Sequence, residues 1–394
     1  MTVWSSVRQT AMPLGKTSPE RPAVGVSVSD SGRRRSASLD GLRGLAAASV
    51  VALHLISVFL DTSFPQYATF DRWINFLDRT PVSVLWAGVQ AVPLFFILSG
   101  FALHRMLSTA TMSYQSFAVR RLIRLWTPYI VTIISATIGI YLGGSHKIAG
   151  QSPWLNGLIG TTLTKEMLAN HLVMIGFFDT RPIDFVVWSL VLEVRLSLLF
   201  PLINWAIVRL HTLVMLAFSL TISVIATYLQ HRSEGSSISI CATLASQSYF
   251  VIGALISRHE AQIQCRYGTL PKWVKIVLAG FALILYCDCL RLSATYSTML
   301  GASWLLIMCL CSSRLHRVLL SPLPQFLGRI SYSLYLSHAV ILLLMINLLY
   351  PYMSFVLIVL LSLPIAICIS TILYYLVEKP AINLSRIAGR HLQF

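Results

Sequence analysis

The chain has 394 residues, of which 56% are apolar and only 11% charged, with a mean hydropathy of +0.73; an average soluble domain carries about 25% charged residues. That composition excludes a water-soluble globular enzyme and indicates a membrane protein. The net charge of +16 raises the question of a nucleic-acid partner, which the placement of the basic residues answers.

Residues 1–37 are rich in Ser, Pro, Gly and Arg, end in Arg33-Arg34-Arg35 and show no apolar period. They read as a disordered basic cytoplasmic tail. The apolar run that follows has no small-residue cleavage site, so it is a span and not a secretory signal. Ten apolar runs are expected to cross the bilayer: 39–60, 84–103, 125–143, 185–206, 212–229, 239–257, 274–290, 294–311, 330–349 and 353–376. The expected fold is therefore an all-α integral membrane protein of about ten transmembrane helices with both termini cytoplasmic. A transmembrane domain covers 38–380, and 381–394 forms a short cytoplasmic tail.

With the tail inside, inner segments hold 22 Lys and Arg, outer loops hold seven, and Arg195 lies within a span. The positive-inside rule fixes this orientation, and most of the charge serves it. No nucleic-acid partner is expected; the lipid bilayer is the first partner. The longest outer connection, 144–184, contains an amphipathic stretch, 155–178, that is expected to lie along the membrane surface. No internal repeat is visible, which weakens a transporter reading. Most of the seven cysteines fall in apolar runs and read as small buried hydrophobes. The pairs Cys287/Cys289 and Cys309/Cys311 point to different helix faces, so no metal site is expected.

Several polar residues interrupt the spans. Arg43 and His54 are eleven residues apart in the first, which puts them on one helix face, about 16 Å apart along the axis. An imidazole inside a span is a candidate general base, although an interhelical hydrogen bond with Arg43 as an inner anchor fits the spacing equally well. Arg120, Arg121 and Arg124 at the inner edge of the third span suit phosphate binding or lipid headgroups. Glu193 and Arg195 do not share a face, so each needs its own partner. Ser331, Tyr332, Tyr335 and His338 form a polar stripe that should line the interior, Tyr332 being equally readable as an interfacial tyrosine. Ser99-Gly100 reads as a close-packing surface and equally fits passage of a thin acyl chain or pantetheine arm, packing being favoured, and His104 and His171 read as interfacial residues.

The stretch SLDGLRGLAAASVVALH (38–54) resembles the opening signature of the acyltransferase-three family, polytopic O-acyltransferases of bacterial envelope glycans. VPLFFILSGFAL (92–103), FAVRRLIRLWTPY (117–129), WSLVLEVRLSLLFPLI (188–203), LGRISYSLYLSH (327–338) and VEKP (377–380) follow in the family's order. The resemblance implies that Arg43 and His54 are the essential Arg-x10-His pair. It implies that Glu193 is the family's span glutamate, although Val194, Arg195, Leu196 and Ser197 depart from the usual continuation. It also implies transfer of an acyl group, acetyl first, from cytoplasmic acyl-CoA as co-substrate to a hydroxyl of an extracytoplasmic glycan or lipid-linked sugar at the bacterial inner membrane. His54 and Arg43 would be catalytic, Arg120, Arg121 and Arg124 would bind the donor, and Glu193, Ser331, Tyr335 and His338 would support the acceptor. No permanently bound cofactor is expected, and the sequence gives no oligomeric state. The competing reading is a secondary transporter or flippase using His54 and Glu193 as an ion relay.

Overall fold

The computed structural model describes residues 28–109, 112–143, 146–159, 163–350 and 352–392; most of the expected N-terminal tail, 1–27, lies outside them. Among the described residues there is no strand. Among the same described residues nine helices are long and apolar enough to cross a membrane, and the protein is a multi-pass, all-α membrane protein. The helices that build the site are α1 (Val28–Ser57), α2 (Gly88–Thr109), α3 (Tyr114–Gly143), α4 (Lys165–Val173), α5 (Trp188–Arg209), α6 (Thr212–Gln230), α7 (Ser236–Arg258), α8 (Lys272–Tyr286), α9 (Ala294–Cys311), α10 (Pro322–Leu349), α11 (Phe355–Leu373) and α12 (Lys379–His391).

Of the ten expected spans, the one whose helix does not reach span length is 274–290, which forms α8 at 15 residues. It runs antiparallel to α9. Lys275 near its start shares a cavity with Leu310 and Cys311 at the end of α9, while Tyr286 at its end abuts Gly301. Helices also run past the expected apolar runs. α1 begins at Val28, ahead of the expected boundary at 38, because no proline interrupts 28–57 and a nucleated helix gains one hydrogen bond per added residue.

The end of the chain departs from the expected free tail at 381–394. After α11 a π turn, Tyr374–Glu378, leads into α12. Pro380 offers no N–H to the carbonyl four residues back, so the regular ladder is broken at this point. α12 then packs along the start of α3, where Ser116 Oγ donates to Gly389 O at 2.6 Å and Ser113 Oγ to Leu392 O at 3.0 Å.

Glycines set the closest crossings. Gly44 of α1 abuts Gly328 of α10, and Gly41 abuts Leu319 and Gln325, so α1 and α10 run parallel. Gly100 of α2 packs on Phe250 of α7 and Gly253 on Ile97, an antiparallel pair. A Cβ at Gly44 or Gly100 would collide with the neighbouring backbone. This confirms close packing as the role of Gly100.

α4 does not lie along the membrane surface. Its C-terminal carbonyls are bonded to the middle of α3, where Trp126 Nε1 donates to Leu172 O at 2.9 Å and Tyr129 Oη to His171 O at 2.9 Å. Both donors sit mid-way along the 30-residue α3. Arg195 completes the set, donating to Ile175 O at 3.1 Å and Gly176 O at 2.5 Å while also binding Ser239 Oγ and Thr243 Oγ1. The segment is therefore re-entrant. Backbone leaving a helix at membrane depth is tolerated only when such donors satisfy its orphan carbonyls. Amphipathicity alone reads the same for a surface helix and for one inserted between neighbours.

Candidate active site

α1, α2, α3, α5, α10 and the π turn enclose a cavity of about 270 Å³. Its charged lining is Arg43, Arg121, Arg124 and Arg329 against Asp40, Glu193 and Glu378. Along α10 it extends from Gln325 to Tyr335, a rise of about 15 Å.

Helical geometry sorts the three arginines of α3. Arg121 and Arg124 are three residues apart, share a face and line the cavity. Arg120 is rotated by about 100°, and its side chain lies across Gly389 of α12 instead. The expectation that all three bind a donor is thus corrected for Arg120. Arg121 is largely committed. It pairs with Glu193 at 2.7 Å and donates from Nε to Ser197 Oγ at 3.1 Å, Glu193 and Ser197 being one turn apart on α5. Ser99 Oγ donates to the same Glu193 oxygen at 2.8 Å. Glu193 therefore has its partner on another helix and still faces the cavity. Arg195, two residues on, faces the re-entrant segment.

The α10 stripe lines the interior as its spacing predicts. Ser331 Oγ donates to Gly328 O at 2.9 Å. Tyr332 is a cavity residue and no interfacial anchor, its hydroxyl donating to Leu125 O at 2.6 Å. Tyr335 ends the cavity: its hydroxyl donates to Val186 O at 2.9 Å and accepts from Ser189 Oγ at 2.6 Å.

Beyond Tyr335 lies the histidine pair. His54 Nδ1 is 2.9 Å from His338 Nε2, and the rings are nearly parallel at 5.1 Å between centroids. Trp154 stacks on His54 from the far side at 6.2 Å, and Phe185 meets it edge-on at 4.9 Å. The rings of Tyr335 and His338 are 6.1 Å apart. His54 and His338 lie outside the lining of the cavity, whereas Tyr335 is part of it and is the lining residue whose ring stands next to that of His338. Arg43 thus lines the cavity, while His54, eleven residues further along α1, lies outside it beside His338.

Other residues depart from expectation or were not anticipated. His104 is buried and 2.7 Å from Asn204 Oδ1, and His171 is fully buried; neither is interfacial. Cys265 and Cys368 are exposed, unlike the buried Cys241, Cys287 and Cys309. Asp40, Ser189, Arg329 and Glu378 line the cavity without having stood out in the sequence. Glu378 is held by Ser333 Oγ at 2.6 Å, and the VEKP sequence that bears it was its only signal. Asp184, just before α5, is buried with one oxygen accepting from Val186 N and the other without a partner. Burial pushes its carboxyl up from 3.8 to about 8, leaving it protonated at neutral pH.

A buried arginine-lined chamber next to a paired imidazole is suited to holding an anionic, polarised substrate beside a base. No curated protein and no solved structure matches the chain. A family model described as an acyltransferase domain matches residues 36–375, from within α1 to the π turn, and includes each residue of this site but Glu378 and Ile382. The chain belongs to the acyltransferase-three family and is a membrane acyltransferase enzyme.

Proposed function

We propose that the protein moves an acyl group, acetyl in the first instance, from cytoplasmic acyl-CoA to a hydroxyl of an extracytoplasmic glycan or lipid-linked sugar, in a bacterial inner membrane. The observation that carries this reading is the placement of Arg43 in the wall of the cationic cavity and of His54, further along the same helix, beside His338 past Tyr335. A donor rich in phosphate suits Arg43, Arg124 and Arg329, which line one cavity. A chamber of about 270 Å³ suits a slender acyl-bearing arm, with the bulkier nucleotide left at the mouth. Arg43, about 16 Å along the axis from His54, would hold the donor in the chamber while its acyl-bearing end reaches past Tyr335 to His54.

His54 would then take the acceptor hydroxyl's proton as its oxygen attacks the thioester carbon, or carry the acyl group itself. The carbon–sulfur bond breaks, the thiolate leaves, and the proton is returned to it as CoA thiol. The ion relay of a transporter finds no support, because His54 is paired with His338, Glu193 with Arg121, and Arg195 holds the re-entrant backbone.

The test incubates membranes with labelled acetyl-CoA and follows label into envelope glycan for wild type, His54→Ala and Arg43→Ala. Wild-type labelling that is lost in both variants is the expected result. Undiminished labelling in both would overturn the reading.

A further inference from the structure

The two histidines differ in what surrounds them, and the difference fixes where their protons lie. His338 Nδ1 is 2.8 Å from Leu334 O, the carbonyl one turn earlier on α10. A carbonyl only accepts, so this nitrogen carries hydrogen. In a neutral ring the other nitrogen, His338 Nε2, is then an acceptor. His54 Nδ1, at 2.9 Å from it, must therefore be the donor. That leaves the lone pair of His54 on Nε2, the nitrogen that the His338 contact leaves free. The rings that touch the pair are Trp154, Phe185 and Tyr335, which supply shape without a full charge.

We propose that His338 is a positioning residue for acyl transfer, locking His54 into the Nδ1–H tautomer so that Nε2 is the reactive atom. This rests on the reading of His54 given above. The role resembles that of the carboxylate that orients a catalytic histidine in hydrolytic triads, with a neutral imidazole in its place. When the acceptor O–H bond breaks, its proton goes to His54 Nε2, and the positive charge is shared through the Nδ1–H contact with His338. The Leu334 carbonyl, already pointing at His338 Nδ1–H, stabilises that charge. The same proton then leaves with the thiolate, and both rings return to their starting forms. If His54 instead attacks as a nucleophile, the same lone pair is required.

The relationship is built into the helices. Gly44 and Gly328 are in contact, and each histidine lies ten residues beyond its glycine. On parallel helices of equal rise the two rings arrive at the same level.

Two substitutions separate positioning from packing. His338→Gln offers an amide oxygen near the place of Nε2, and His338→Leu fills the space without an acceptor. With the full-length protein in membranes and labelled acetyl-CoA as probe, His338→Leu is expected to lower kcat by roughly a hundredfold or more at unchanged KM. His338→Gln should stay within about tenfold of wild type. Equal losses in two variants that remain monodisperse, or full activity in His338→Leu, would overturn the proposal. A second readout needs no turnover: in 15N-histidine-labelled protein, the His54 signals, assigned by their loss in His54→Ala, should report hydrogen on Nδ1. They should shift toward the other tautomer in His338→Leu. Hydrogen on Nε2 of His54 in the wild type sinks the positioning role whatever the activity. Loss of acetyl-CoA transfer by the wild type itself, with the expected tautomer present, sinks only the proposed reaction.

Discussion

Gly44 of α1 rests against Gly328 of α10, and that contact sets the level at which His54 and His338 meet. Gly44→Ala would drive a methyl group into the Gly328 backbone. Overpacking of this kind costs about 1–3 kcal/mol. The expected outcome is a lower unfolding midpoint in detergent together with at least a roughly tenfold loss of acyl transfer, because the histidines are prised apart. Unchanged transfer with a lowered midpoint would show that the crossing does not govern the site.

The Arg121–Glu193 pair is mostly buried, at 13% and 18% side-chain exposure. Removing one partner strands the other, and such losses run to about 3–5 kcal/mol. Arg121→Met and Glu193→Gln should each reduce the yield of folded protein, while the double variant Arg121→Met/Glu193→Met recovers yield without recovering transfer. Size-exclusion profiles and label transfer measured on the same preparations test both halves.

Arg195 donates to two carbonyls of the re-entrant segment and to Ser239 and Thr243. Arg195→Met should destabilise the protein by about 3 kcal/mol and loosen this segment first. A cysteine placed at Ile175 would report it, reacting faster with a membrane-impermeant thiol reagent in the Arg195→Met background. Equal labelling rates in both backgrounds would argue against the clamp.

Asp184 gives a pH signature. Its carboxyl is ionised in the unfolded chain above about 3.8 and stays protonated in the fold up to about 8. The folded state binds the proton more tightly, so this group's contribution to stability is greatest below the lower value and declines as pH rises toward the upper one. Asp184→Asn keeps the acceptor for Val186 N without an ionisable group. Its unfolding midpoint should match wild type near pH 4 and exceed it near pH 8. A constant offset across that window would contradict the assignment.

The spacing of Arg43 and His54, and of Tyr332, Tyr335 and His338, was legible because helical period alone decides which residues share a face. What period cannot supply is the neighbour. Nothing in the order Arg120-Arg121 says that one turns to α12 and the other to Glu193; that depends on where α12 docks. The identity of the His54 partner was equally hidden, since it follows from a glycine crossing between segments 284 residues apart. The re-entrant course of α4 depends on three donors from α3 and α5 that look like ordinary span residues in the sequence. Glu378 was obscured for a different reason: a π turn changes the register at which its side chain points.

Tyr335 has a consequence for the cell that carries such an enzyme. An energised bilayer stores about 2.3 kcal/mol per elementary charge for each 100 mV, and a continuous aqueous path between the arginine chamber and His54 would short-circuit it. Tyr335, with its hydroxyl engaged by Ser189 and Val186, stands at the end of the chamber nearest His338. Tyr335→Phe removes both contacts, and proteoliposomes carrying that variant should lose an imposed proton gradient faster than wild type; equal decay would show that the ring closes no such path. In the proposed mechanism, a second imidazole beside the first would let the proton released in each reaction cycle be kept and handed back within the membrane.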